Sequence, residues 1–74
     1  MVDYFLKESL ERNIIISIIY SKGNEITQRN IRVFDIQDGS VKAFCFLRNQ
    51  TRIFKMENIL SAGFVRNTHL KIAK

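Results

Sequence analysis

Proline is absent from this chain and glycine occurs only three times, which excludes a linker or a low-complexity tail. Cysteine is present once, as Cys45, so neither an internal disulfide nor a cysteine-based metal cluster can form. Within its apolar strand pattern Cys45 reads as a small core residue. A reactive thiol would need a nearby base, and nothing in the sequence brings the single histidine, His69, close to it. One histidine without partners at ligand spacing makes no metal site. The chain has no nucleophile motif, no glycine-rich phosphate loop and no metal box. The expectation is a protein that is not an enzyme and needs no cofactor.

Long apolar runs are also missing. The longest, Ile14–Tyr20, contains Ser17 and falls far short of the ~20 residues that cross a bilayer. Asp3, Lys7, Glu8, Glu11 and Arg12 break up any signal-peptide core at the N-terminus. A cytoplasmic protein without a membrane partner is expected.

What is present is the composition of a folded domain, 46% hydrophobic and 26% charged. Seventy-four residues make one domain, which buries only about 60% of the surface of its unfolded chain. Twelve Lys and Arg against seven Asp and Glu give a net charge of +5 and a pI near 9.8. Such a balance attracts polyanions, nucleic acid foremost, although a plain solvating surface has the same charge.

Along the chain, Val2, Phe5, Leu6 and Leu10 form a helical stripe that predicts a helix over 2–12, with Asp3 as its cap. Residues 13–20, NIIISIIY, predict a strand with Ile14, Ile16, Ile18 and Tyr20 on one face. Apolar residues on both faces imply cover on both sides, by a barrel interior and by the helix. Ser21–Asn24 is a turn. Residues 25–36 alternate, with Ile31, Val33 and, further out, Arg29 on one face, and predict a strand that bends near Val33–Asp35. Gln37–Ser40 carries an Asp-Gly turn signal. Residues 41–48 and 51–56 predict a hairpin with a two-residue loop at Asn49-Gln50, pairing Leu47 with Arg52, Cys45 with Phe54 and Ala43 with Met56. A helical turn at 57–59 and a strand over 61–66 follow, then a strand extension or tail over 67–74. A helix and five short bent strands give a fold that is mainly β, a small five-stranded Sm-like or SH3-like barrel.

The hairpin carries the chemistry. Arg48 and Arg52 flank its loop, and guanidinium forks match phosphate oxygens bidentately. The bland alternative for both is cross-strand pairing with Glu57 or Asp35, or plain solvation. Lys42 and Lys55 stand near them, and Arg32 with Arg29 extends a basic stripe from the neighbouring strand. Phe44, Phe46 and Phe54 are interleaved with these cations. Most such rings serve a core, but one exposed ring suffices to stack a base.

Ala43-Phe44-Cys45, Arg48 and the run Arg52-Ile53-Phe54-Lys55-Met56-Glu57-Asn58-Ile59 resemble the C-terminal half of the WYL domain. Upstream, Ile16, Ile18 and Tyr20 match that family's first strand, and Arg29, Ile31 and Val33 its second, so the resemblance covers about 14–60. Gly39-Ser40-Val41 stands where the family has Trp-Tyr-Leu, and Asn58 replaces a family arginine. No winged-helix domain of the kind that usually precedes a WYL domain fits here, so the resemblance is to a stand-alone, divergent version. It implies an Sm-like barrel and a bacterial or phage regulatory role, sensing single-stranded nucleic acid or a nucleotide-like anion. It bears on Arg48 and Arg52 as matched positions.

Two function classes follow. In the first, a regulatory, ligand-sensing barrel captures a nucleic-acid phosphate with Arg48 and Arg52, backed by Lys42, Lys55 and Arg32, while Phe44 or Phe46 stacks a base. In the second, the chain is a protein-interaction or homo-oligomerisation module that pairs edge to edge through 14–20 or 64–73.

Overall fold

The computed structural model describes residues 1–65; Arg66, His69 and the predicted extension over 67–74 lie outside them. Helix α1, Val2–Arg12, is followed by β1 (Ile16–Lys22), β2 (Glu25–Gln37), β3 (Ser40–Cys45), β4 (Gln50–Lys55), a 3-10 turn (Met56–Asn58) and β5 (Ile59–Phe64). The fold is mainly β, with one helix and one antiparallel sheet in the order β4-β3-β2-β1-β5. In the pairing of the described residues, β4 and β5 are the two ends of the sheet. The sheet curls so that Phe54 of β4 meets Tyr20 of β1 edge to face at 4.9 Å. The Lys55 amide there donates to the Tyr20 hydroxyl at 3.3 Å.

Helix α1 forms where the apolar stripe predicts it. Its N-cap is Met1, with no side-chain capping bond, so Asp3 is not the cap but an acidic residue of the first turn, where the helix dipole favours it. Asn13 is not the start of a strand. It ends the helix in the left-handed conformation, φ 58°, and β1 begins three residues later.

Leu6 shares one buried cluster with Ile16, Ile18, Ile31, Val33, Val41 and Phe54. The helix thus covers the same side of β1 as the core does, and not the opposite one. Ile15 and Ile19, on the other face, are half-buried. Strand β1 is hydrogen-bonded on both edges, to β2 and to β5, so it offers no free edge for a second copy.

The bend predicted in β2 is a register shift between Val33 and Asp35, which leaves Phe34 as the extra residue. Asp38 and Gly39 both take positive φ in the β2–β3 turn, as an Asp-Gly hairpin requires. The β3–β4 hairpin departs from expectation. Its connection is the four-residue turn Phe46–Asn49, and Cys45 pairs with Gln50, Ala43 with Arg52 and Val41 with Phe54. The slip relative to the expected pairing is even, so Ala43, Cys45, Arg52 and Phe54 keep a common face. Leu47 is exposed in the turn and unpaired with Arg52, and Arg48, expected on the face of Phe44 and Phe46, turns to the side of Arg52 instead.

Candidate functional site

The core face of the sheet opens into a cleft of about 410 Å³ between the β1–β2 hairpin and the β3–β4 hairpin. Lys22 and Glu25 stand at the closed end of the first hairpin and pair across it. Arg29 follows on β2, and Arg48 and Arg52 come from the β3–β4 turn and β4. Tyr20 lines the same cleft. Four cations therefore face one space together with a single carboxylate. Among the described residues the one ion pair is Arg12–Glu8, at 2.9 Å on the helix. Neither Asp35 nor Glu57 neutralises Arg48 or Arg52.

Arg29 is held in place by two contacts. Its Nε donates to Thr27 Oγ1 at 3.2 Å and its Nη1 to Cys45 Sγ at 3.6 Å. The amides of Arg48 and Leu47 lie near the same sulfur and favour its charged form. Burial pushes the Cys45 thiol up, but the Arg48 amide, the Arg29 guanidinium and the Leu47 amide outweigh it, and the thiol lies below its usual value. Cys45 is fully buried. It is a core residue that also fastens the turn bearing Arg48 to the strand bearing Arg29.

The predicted site residues divide between the two faces of the hairpin. Arg48 and Arg52 are brought together in the cleft. Lys42 and Phe44 alternate with Ala43 and Cys45, both fully buried, and so point away from it. Phe46 packs on Phe44 edge to face at 4.9 Å. Arg32 pairs with Phe44 across the strands. Lys55 sits beside Asp38 and Glu57 near the β2–β3 turn. These five residues do not join the arginine pair: alternation along β2, β3 and β4 sends Arg32, Lys42, Phe44 and Lys55 to the other side, and Phe46 of the turn packs on Phe44 there. Phe54 is in the core.

Lys22 and Tyr20 were not anticipated as site residues. For Arg29, the alternation with Ile31 and Val33 already sets a cation on the core face. A charge on the face that must be buried is the signal that distinguishes it from Arg32.

No protein-family model matches the chain, and none of the curated proteins does. Among solved structures, the fold is similar to part of proteasome accessory factor B/C (PafBC) of Arthrobacter aurescens, with a TM-score of 0.67 over 86% of this chain. The likeness is one of fold. Identity is 13%, and the matched part is 12% of the PafBC chain. No helix among the described residues is long and apolar enough to cross a membrane.

Proposed function

We propose that this chain is a non-catalytic regulatory module that binds a nucleotide-like anion, short single-stranded nucleic acid included, in the cleft between its two hairpins. The observation that carries this reading is the convergence of Lys22, Arg29, Arg48 and Arg52 on one space with one carboxylate. The regulatory role draws support from the WYL resemblance, and the fold likeness to part of proteasome accessory factor B/C is compatible with it. The cleft is within the range of about 300–1,000 Å³ in which small-ligand sites fall, which favours one or two nucleotides over a duplex. Arg48 and Arg52 take the phosphate as forks, Lys22 adds a point charge, and Arg29, already held by Thr27 and Cys45, is pre-oriented. Tyr20, packed on Phe54, belongs to the floor of the cleft, and the outward phenylalanines face the other way, so recognition rests on the cations.

The test is fluorescence anisotropy with labelled short oligothymidylate and oligouridylate, between low salt and about 0.15 M, where the Debye length is about 8 Å. Saturable binding that persists at the higher salt is expected. Arg48→Ala with Arg52→Ala should weaken it by about tenfold or more and flatten its salt dependence. A double variant that binds like the parent at every salt concentration would remove the cleft from the mechanism.

A further inference from the structure

Strand β4 has one free edge, and the cleft lies along it. The Met56 amide donates to the Gly39 carbonyl at 2.9 Å, which sets the phase of the ladder between β4 and β3. Bonded pairs alternate with unbonded ones in an antiparallel ladder. Phe54 therefore bonds Val41 and Arg52 bonds Ala43, while Ile53 beside Lys42 and Thr51 beside Phe44 do not bond each other. The N–H and C=O of Thr51, Ile53 and Lys55 point away from β3. The Lys55 amide shows where that edge looks, because it reaches the Tyr20 hydroxyl at 3.3 Å. Tyr20 and Ile53 both line the cleft. Among the described residues β4 pairs with β3 alone, and the main-chain N–H and C=O of Ile53 have no partner there. The Ile53 side chain is 65% exposed, so the edge is open.

We propose that the main chain of Ile53 reads the base of the nucleotide-like ligand. Its N–H donates to a ring carbonyl or ring nitrogen, and its C=O accepts from the neighbouring N–H of the same base. This rests on the reading of the cleft given above, in which Arg48 and Arg52 hold the phosphate. Arg52 immediately precedes Ile53 in β4, so a phosphate held by its guanidinium keeps the ligand beside this edge. The Watson–Crick edge of each nucleobase carries a donor next to an acceptor, which matches one N–H and one C=O projecting side by side. Such a pair separates nucleotides from bare phosphates and other polyanions, and it is tolerant of base identity. A peptide strand is the poorer fit to the same edge. Strand addition draws its affinity from a run of main-chain pairs. Here the Lys55 amide is taken by Tyr20 and the turn ends at Asn49, which leaves only Thr51 and Ile53.

The test measures anisotropy of three labelled ligands of equal length on the full chain. They are an oligothymidylate, an oligomer of abasic sugar-phosphate units, and an oligothymidylate methylated at N3 of every base. The last keeps ring and charge but lacks the N–H that the Ile53 carbonyl accepts. Oligothymidylate should bind about fivefold or more tightly than either of the others. Ile53→Pro removes the outward N–H without touching a ladder bond, a change that edge strands accept. It should lose most of the preference for the unmodified bases. The proposal is overturned if all three ligands bind the parent equally, or if Ile53→Pro keeps the parent's preference; the arginines then form an anion site without base recognition. Tight binding of the methylated oligomer with weak binding of the abasic one also overturns it, since the base is then held by its ring and not by its edge. If none of the three binds saturably, the reading of the cleft falls and this contact falls with it.

Discussion

Ser9 joins three parts of the chain through one oxygen. Its hydroxyl donates to the Ile14 carbonyl at 2.6 Å and accepts from the Val33 amide at 2.9 Å, so the helix, its exit and the bend of β2 are tied together. Ser9→Ala should lower the stability by about 1–3 kcal/mol, because the Val33 N–H is left buried without an acceptor. Urea denaturation with an unchanged midpoint would rule that out. A sequence signal existed: Ser9 lies three residues after Leu6 on the apolar stripe, where a polar side chain must find partners. Which partners they were depended on a strand twenty-four positions away. Cys45 gives a second residue-scale prediction. Its folded thiol ionises below the unfolded one, so the ionisation adds stability as pH rises between the two values, and that stability is lost as pH falls through the folded value. Thiolate absorbance should therefore titrate at lower pH in the native chain than in urea. Coincident midpoints would count against the amide and guanidinium contacts to the sulfur.

At the scale of elements, α1, the bend of β2 and the Asp-Gly turn were legible because each rests on local periodicity or on local φ requirements. The register of the β3–β4 hairpin was not. Its four-residue turn is held by the Phe46 amide donating to Asn30 at 3.0 Å, by the Cys45 sulfur and by Asn49 at positive φ. Two of these anchors involve side chains or strands outside the turn's own sequence. Arg52 keeps the face of Cys45 because the slip was even, but Arg48, which strand alternation sets with Phe44 and Phe46, joins Arg52 only because it lies in the turn and not in β3. The curl of the sheet rests in part on Tyr20. Tyr20→Phe should cost about 0.5–1.5 kcal/mol and speed amide exchange at Lys55 more than at Ile16 or Ile18. Uniform acceleration along the chain would mean that the hydroxyl does not fasten β4.

For the whole molecule, the sequence displayed the net charge of +5 as one basic–aromatic mixture. The fold sorts that mixture into a cleft with Arg29, Arg48 and Arg52 and an outward face with Arg32, Lys42 and the phenylalanine pair. Composition reports a sum. Only strand pairing can say which cations share a space, and the pairing that matters runs between segments far apart in the chain.

Strand β1 has a particular place in this order. Strands β1 to β4 follow one another as hairpins, but the second neighbour of β1 is β5, with Ile16 opposite Phe64. On a ribosome that adds about 5–20 residues per second, the isoleucine-rich β1 is therefore made seconds before the strand that covers its other edge. Helix α1, which packs against β5 as well as β2, waits for the same event. During synthesis this chain carries an open, apolar edge near its beginning that only its last described strand can close.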